Sequence, residues 1–233
     1  MAMGNRNALI VLTSNDRLGE TGIKTGFWYN ELSRPYWALI DAGFSVDIAS
    51  VKGGTAPHSP DGVGPGVETP ETARFLADKA SVLKVKASLP VDALNPLTYS
   101  AIHLPGGYGT MWDLEQSDEL AEIVGTAYGN GAVIGAICHG QAGLLRALNS
   151  NGRPVVERLR VSSCTNAEEE TRGLTSILPF LLESRLRALG AKFESAPNFH
   201  SIAVHDGRLV TAQNEESVGM YTEQLLRAIS SSR

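Results

Sequence analysis

The sequence predicts an α/β fold in which a mostly parallel open sheet is covered by helices on both faces. Segments with a strand pattern alternate with segments with a helix pattern, at the spacing typical of βαβ units. The chain has 233 residues, 42% of them hydrophobic, which is enough to bury one sizeable core. No internal repeat, low-complexity tract or linker divides it, so a single domain over residues 1–233 is predicted.

The elements follow from apolar runs, apolar periodicity and glycine stops. Ser117 is predicted to cap one helix, and glycines 43, 131 and 190 are predicted to end helices. Strands are predicted at 8–14, 44–50, 132–138 and 207–214, and 99–107 is predicted as a strand that runs into a glycine turn. Helices are predicted at 27–43, 71–88 (one helix or two short ones), 117–131, 140–149, 173–193 and 215–230. A loop rich in glycine and proline spans 52–71, and loops of this length are often functional.

Charge and cysteine content exclude several classes of protein. The formal net charge is −5, which does not fit a nucleic-acid-binding surface. The two cysteines do not make a disulfide framework, so a reduced, cytoplasmic protein is predicted. The first apolar run is too short for a signal peptide, and no segment is long enough to cross a bilayer, so no membrane partner is expected.

Two of the predicted strands end in segments suited to chemistry. Gly106 and Gly107 follow one strand, and Cys138 ends the strand that comes next. Because ligands of open parallel sheets bind outside the carboxyl ends of the strands, both turns should face one crevice if the strands are neighbours.

Cys138 has the setting of a nucleophile at a strand-to-helix elbow. Small residues, Ala136 and Gly140, lie two positions before and after it, as such a sharp turn requires. The amides and dipole of the following helix are expected to lower the thiol pKa and to hold a developing oxyanion. A buried, inert cysteine is the alternative, and the flanking residues favour function over it. His139 is equally well explained as a base for Cys138 or as a histidine bonded to a backbone carbonyl.

The glycines of Gly106-Gly107-Tyr108-Gly109 lack the order of a phosphate-binding loop. They are equally compatible with a tight turn and with backbone amides that approach a substrate oxygen. No metal site is predicted, because the histidines show no ligand spacing. His103 is expected to be a satisfied core residue, and Cys164 a small buried side chain.

The acidic candidates are less distinctive. Glu31 lies among aromatic residues on the first helix, where desolvation would suit it to proton transfer, but the residues alone favour a solvent-facing position. Glu168, Glu169 and Glu170 form an acidic run of the kind usually found on a solvated face. One of them is the alternative candidate for orienting His139.

Several ordered blocks resemble the ThiJ/PfpI family, over nearly the whole chain. They are most similar to its branch of small heat-shock-inducible chaperones and glutathione-independent glyoxalases. The blocks are TGFWYNELSRPYWALIDAGFSVDIASVKGG, HLPGGYGTMWDL, AICHGQAGLL, GLTSILPFLLESRLRALGAKFE and DGRLVTAQNEES.

The resemblance implies a flavodoxin-like three-layer sandwich that is usually a homodimer. It implies Cys138 as nucleophile, His139 as its partner, Glu31 as the nearby acid, and Glu169, with Glu168 second, as the third triad member. The oxyanion and substrate-binding residues implied are Gly106, Gly107 with the backbone at His139, Tyr108, Gln141 and Trp28. The activity implied is that of a glyoxalase III-type lyase, which converts methylglyoxal to lactate without glutathione and without a cofactor.

Two residues depart from the family's usual pattern. Tyr108 stands where members often carry a histidine, and a phenol rarely ionises near neutral pH. Gln141 stands where members often carry proline, and it adds a hydrogen-bonding side chain and a backbone donor. Both changes keep the nucleophile and bear on the substrate.

Other functions stay open at this point. One is a redox-responsive stress chaperone or deglycase-like protein, in which Cys138 oxidises to a sulfinate beside protonated Glu31. Another is a related cysteine hydrolase that acts on amides, peptides or isonitriles. An amidotransferase is disfavoured, because no partner domain for the ammonia is visible.

Overall fold

The computed structural model describes residues 6–232, which form nine strands and eight α-helices. The strands are β1 Asn7–Leu12, β2 Ser45–Ser50, β3 Leu89–Pro90, β4 Ala101–Leu104, β5 Val133–Ile137, β6 Arg160–Val161, β7 Lys192–Phe193, β8 Ala203–Asp206 and β9 Leu209–Ala212. The α-helices are α1 Tyr29–Asp41, α2 Pro70–Ala77, α3 Lys79–Lys86, α4 Thr110–Asp113, α5 Asp118–Gly129, α6 Asn166–Thr171, α7 Leu182–Ala188 and α8 Val218–Ser231. Short 3₁₀ helices lie at Pro60–Gly62, Val91–Ala93, Pro96–Thr98, Gly140–Leu144 and Glu215–Ser217.

Seven strands form one sheet in the order β3-β2-β1-β4-β5-β9-β8. All neighbours pair in parallel except β8 and β9, which form an antiparallel hairpin at one edge. The predicted mostly parallel sheet is therefore confirmed. The sequence analysis missed β8 and the two-residue strands β3, β6 and β7. Of these, β6 and β7 pair in a small separate sheet.

The sheet is covered on both faces, because side chains of a strand alternate between them. Leu9 and Val11 of β1 pack in one apolar cluster, with residues of α5 and α7. Ile10 and Leu12 pack in the other, with residues of α1, α2 and α8. The fold is the predicted three-layer sandwich. Among the described residues, no helix is both long and apolar enough to span a membrane.

The helix predicted at 140–149 is wrong. The chain instead forms the 3₁₀ helix Gly140–Leu144, followed by turns held by i+3 bonds, such as that from the N–H of Ala147 to the carbonyl of Leu144. Residues 140–145 are all buried, so the segment has no polar face to place toward solvent. Its apolar spacing belongs to a buried connection and not to an amphipathic helix.

The long helix predicted at 173–193 is also wrong, since only Leu182–Ala188 is α-helical. Pro179 lies in the middle of the predicted segment, and proline lacks the N–H that a helix interior needs and disfavours helix at the residue before it. By contrast, 71–88 does form two short helices, one of the two alternatives predicted. They are separated at Asp78, whose side chain caps the second.

Candidate active site

A cavity of about 260 Å³ lies at the carboxyl ends of β4 and β5. Because these strands are neighbours in the sheet, the glycine turn and the Cys138 turn meet there, as predicted. The cavity is lined by Trp28, Glu31, Ser59, Asp61, Gly107, Tyr108, Cys138, His139, Arg172 and Glu215. Two of these residues belong to the loop at 52–71, which therefore forms part of the wall.

Cys138 lies in a sharp turn directly after β5, in the left-handed conformation with φ of 62°. Non-glycine residues adopt this conformation rarely, and it is typical of a nucleophile at a strand end. The surrounding backbone is close. A Cβ on Gly140 would lie 2.1 Å from the carbonyl oxygen of Leu104, and one on Gly106 would lie 2.6 Å from the nitrogen of His139. Small residues at this elbow are required because two strand ends nearly touch.

Three side chains form a hydrogen-bonded chain inside the site. Cys138 Sγ lies 3.2 Å from His139 Nδ1, and His139 Nε2 lies 2.6 Å from Glu169 Oε1. All three side chains are nearly completely buried. The structure thus brings together the cysteine, the histidine and the preferred acidic residue of the predicted triad.

Glu168 takes a different position from Glu169. It caps its own helix by accepting from the N–H of Thr165, and it also accepts from Gln213 and Asn214. Both acids are buried, so the solvated face expected for this run is wrong, and only Glu170 is exposed. α6 places successive carboxylates in different surroundings, because neighbours on a helix point about 100° apart.

The electrostatics of the Cys138–His139 pair differ from the expectation. The neighbouring Cys164 sulfur and burial raise the pKa of Cys138 well above its ordinary value, although His139 lowers it. A 3₁₀ helix of five residues replaces the predicted α-helix, so the expected lowering by a helix dipole is wrong. For His139, burial opposes the charge, but the Cys138 thiolate and Glu169 raise the pKa well above its ordinary value. Burial therefore favours the neutral thiol, and a thiolate at this position is stabilised by a charge on His139.

Glu31 is completely buried in the first turn of α1, so the solvent-facing position favoured by the residues alone is wrong. Its Oε2 accepts from the N–H of Gly106 at 2.6 Å, whereas Oε1 has no hydrogen-bond partner among the described residues. Burial, and next the Glu215 carboxylate, raise the pKa of Glu31 to about 8. A carboxyl oxygen of Glu31 lies within 4.8 Å of Cys138 Sγ. A neutral carboxylic acid therefore faces the thiol at neutral pH.

His103 supports the position of Glu31 through a hydrogen bond in the core. Its two ring nitrogens lie 2.6 Å from the hydroxyl of Tyr221 and 2.7 Å from the carbonyl oxygen of Glu31. Burial lowers the pKa of His103 to about 4, so it is neutral. The prediction of a satisfied core histidine is confirmed.

Tyr108 lies beside the triad. Its ring centroid lies 4.4 Å from that of His139, and its hydroxyl donates to Glu169 Oε2 at 3.2 Å. Arg172 donates to the same hydroxyl at 3.3 Å and to Glu215 at 2.8 Å. Burial raises the pKa of Tyr108 far above its ordinary value, so the phenol acts as a neutral donor.

Gly106 and Gln141, expected among the substrate-binding residues, do not line the cavity. The N–H of Gly106 is used by Glu31. The amide nitrogen of Gln141 donates to the carbonyls of Ala136, Ser162 and Ala212, at 3.3, 2.6 and 2.8 Å. Gln141 thus links β5, the residue after β6 and the end of β9 by hydrogen bonds. By contrast, the N–H groups of Gly107 and His139 donate no hydrogen bond within residues 6–232.

Four residues that line the cavity were missed by the sequence analysis: Ser59, Asp61, Arg172 and Glu215. Arg172 lies three residues after Glu169, a spacing that places two side chains on one side of a helix. Glu215 follows the carboxyl end of β9, the same edge that identified Cys138. Asp61 lies in the long loop already noted. Cys164 was expected to be a small buried side chain, and it is buried, but its sulfur lies only 3.3 Å from that of Cys138.

Comparison with known proteins identifies the family of the chain. Residues 23–228 match the model of the DJ-1/PfpI family. The chain belongs to the DJ-1/PfpI family. The family predicted from the sequence, there called ThiJ/PfpI, is therefore confirmed.

Relatives within the family cover nearly the whole chain. The glutathione-independent glyoxalase HSP31 of Saccharomyces cerevisiae is 30% identical over 227 residues, which cover 92% of this chain and 94% of that protein. Glyoxalase 3 of Candida albicans is 28% identical over 232 residues, 94% of this chain and 97% of that protein. The Rapid Encystment Protein 24 kDa of Francisella tularensis has a structure with a TM-score of 0.91 and 36% identity, covering 96% of this chain and 99% of that one. Glyoxalase III of Candida albicans, at 24% identity and a TM-score of 0.88 over 95% and 96% of the chains, shares the fold.

Proposed function

We propose that this enzyme is a glutathione-independent glyoxalase that converts methylglyoxal and similar small 2-oxoaldehydes to the corresponding 2-hydroxy acids. The observation that carries the proposal is one cavity in which the Cys138 thiol faces both an imidazole and a neutral carboxylic acid. Relatives named glutathione-independent glyoxalases, similar over most of the chain, support it. The small cavity suits a substrate of a few heavy atoms.

The reaction begins with addition of the Cys138 sulfur to the aldehyde carbon. The thiol proton goes to His139 Nδ1, and Glu31 protonates the new alkoxide through its free Oε1. The product is a hemithioacetal, which leaves His139 positively charged and Glu31 ionised. The N–H groups of Gly107 and His139 are the donors available to the developing oxyanion.

A proton then moves from the former aldehyde carbon to the neighbouring carbon. The Glu31 carboxylate removes it, and His139 protonates the ketone oxygen, so an enediol forms. Glu31 returns the proton to the neighbouring carbon while His139 takes the proton of the first hydroxyl. The result is a lactate thioester of Cys138, and no external oxidant or reductant is needed.

Water completes the cycle. It attacks the thioester carbonyl, its proton goes to Glu31, and the departing sulfur recovers a proton from His139. Lactic acid leaves, and the three side chains return to their starting protonation states. Glu169 has a positioning role, because its bond to His139 Nε2 leaves Nδ1 directed at the sulfur.

The direct test is release of lactate from methylglyoxal by the purified protein in the absence of glutathione. We expect lactate from the wild type and at least about a 10²-fold lower rate from Cys138→Ala. A matched thermal unfolding curve for Cys138→Ala shows that the loss is chemical. Full activity of a folded Cys138→Ala protein would rule the mechanism out, and an inactive wild type would rule out the substrate.

We also propose that the enzyme is a cytoplasmic homodimer. Family resemblance supports the dimer, and the two free thiols, Cys138 and Cys164, fit a reducing compartment. Light scattering on the purified protein tests the assembly, and a mass near that of a single chain would contradict it.

A further inference from the structure

A near neighbour of the nucleophile that the proposed reaction does not use is another cysteine. Cys164 Sγ lies 3.3 Å from Cys138 Sγ, and the two are the only cysteines of the chain. Both are free thiols and both are buried. A disulfide joins sulfurs about 2.0 Å apart, so an approach of about 1.3 Å closes the bond.

The backbones of the two cysteines are held close together by a hydrogen bond. The N–H of Cys164 donates to the carbonyl oxygen of Cys138 at 3.2 Å. Residues joined in this way across neighbouring segments have Cα atoms about 5 Å apart, within the range that disulfides span. The backbone spacing is therefore compatible with a disulfide between these two residues.

We propose that Cys138 and Cys164 form a reversible disulfide when the protein meets a peroxide, and that this bond switches the enzyme off. The expected loss of activity rests on the proposed function, whereas formation of the bond does not. Disulfides of reduced compartments are usually transient and redox-sensing, which fits this role.

The two cysteines have different access to an oxidant. Cys138 lines the cavity, which admits a molecule as small as hydrogen peroxide, and Cys164 does not line it. Cys138 is therefore the sulfur that is oxidised first, and Cys164 is the sulfur that attacks second.

The chemistry is balanced in two steps. Cys138 attacks one oxygen of the peroxide and becomes a sulfenic acid, and the released hydroxide leaves as water with the proton of the thiol. The Cys164 sulfur then attacks the sulfenic sulfur, and its own proton leaves with the hydroxyl group as a second water. His139 Nδ1, 3.8 Å from Cys164 Sγ, is placed to take that proton in transit. Two thiols are oxidised by two electrons, and one peroxide is reduced to two waters.

The bond has two consequences for the site. It removes the nucleophile, because Cys138 cannot add to an aldehyde while its sulfur is bonded. It also stops oxidation at a state that thiols reduce, since a sulfenic acid without a nearby thiol goes on to an irreversible sulfinic acid.

The experiment treats the reduced full-length protein with a few equivalents of hydrogen peroxide and then with dithiothreitol. For the wild type we expect a mass lower by about 2 Da and a Cys138–Cys164 cross-linked peptide. Glyoxalase activity is expected to fall with the cross-link and to return to near its starting level on reduction. A wild type that instead gains about 32 Da on Cys138 without a cross-linked peptide overturns the proposal.

The matched variants are Cys164→Ala and Cys164→Ser, each compared with its own activity before peroxide. We expect both to gain about 32 Da on Cys138 and to stay inactive after dithiothreitol. Recovery equal to that of the wild type would contradict the role of Cys164. If neither variant folds, the cross-linked peptide of the wild type still decides the proposal. If the cross-link forms in a protein without glyoxalase activity, the disulfide stands and the proposed function fails.

Discussion

His139 Nε2 and Glu169 Oε1 lie 2.6 Å apart in a site where both side chains are at most 4% exposed. Their partner on the other side of the imidazole is the Cys138 sulfur, 3.2 Å from Nδ1. A charge on His139 is buried here, so it is stabilised only if a carboxylate and a thiolate face it. The Glu169 carboxylate therefore sets both the orientation and the charge of the imidazole.

Replacing Glu169 by glutamine tests this relationship. We expect Glu169→Gln to lower kcat by about 10²-fold or more, because the imidazolium loses its carboxylate while the shape of the side chain is kept. Methylglyoxal consumption at saturating substrate measures the effect. The matched control is Glu170→Gln on the same helix, where the side chain is exposed and kcat is expected to stay within about twofold. Equal effects of the two substitutions would contradict the positioning role.

The buried, ionisable side chain of Glu31 is expected to lower the stability of the folded protein at neutral pH. Its pKa is about 8 in the folded protein and about 4.5 in an ordinary setting, so between these pH values the folded state holds a proton that the unfolded state has lost. Stability therefore falls as pH rises from about 4.5 to 8. Glu31→Gln removes this cost, and we expect it to raise the free energy of unfolding at pH 7 by a few kcal/mol, on the order of 3. Denaturant curves of the wild type and of Glu31→Gln at pH 5 and pH 7 measure it. The account would be contradicted if the gain in free energy of unfolding from Glu31→Gln were the same at the two pH values.

The same substitution is expected to impair the reaction. Neutral Glu31 is the proton donor of the first step, so wild-type kcat/KM should decline as pH rises through about 8. We expect Glu31→Gln to lower kcat/KM by about 10²-fold or more and to lose this decline. A pH–rate profile from weakly acid to alkaline conditions provides the readout. A variant that is slow but keeps the wild-type profile would assign the titration to another group.

The sequence predicts the parts of this site that are local along the chain. The apolar run into Cys138, the small flanking residues and the resulting turn all lie within about ten residues of one another. The glycine turn after β4 is equally local to its own strand. Their meeting follows from the parallel sheet, because the carboxyl ends of neighbouring strands share one edge. The choice of Glu169 came from a resemblance, which carried information that the residues alone did not.

The parts that depend on tertiary contacts were wrong or missed. Glu31 is buried because α1 packs its first turn over Gly106, 75 residues away, and nothing in its own segment requires this. The Cys138–Cys164 contact links the end of β5 to the segment after β6, a strand of two residues with almost no pattern of its own. The buried apolar residues at 140–145 made the segment resemble a helix, since apolar spacing does not distinguish a buried turn from a helix.

Gln141 is expected to matter for stability and not for substrate choice. Its amide nitrogen donates to three buried carbonyls and does not reach the cavity. We expect Gln141→Leu to lower the free energy of unfolding by about 1–3 kcal/mol, because buried acceptors lose their donor. KM for methylglyoxal should stay within about twofold of the wild type. The control is Gln116→Leu at an exposed position, which should change stability by less than about 0.5 kcal/mol. A large change in KM with unchanged stability would return Gln141 to the substrate site.

The elbow itself can be tested through Gly140. A Cβ there would lie 2.1 Å from the carbonyl oxygen of Leu104 and 2.8 Å from its carbonyl carbon, so either the strand end or the turn must move. We expect Gly140→Ala to cost about 2–3 kcal/mol of stability and to lower kcat, since the same shift displaces Cys138 from His139. The matched control is Gly129→Ala at the end of α5, where a Cβ meets nothing within 4 Å. Alanine there should leave activity intact and add up to about 1 kcal/mol of stability, because it is the better helix former. If Gly140→Ala were as stable and as active as Gly129→Ala, the close approach of the two strand ends would not be what places the nucleophile.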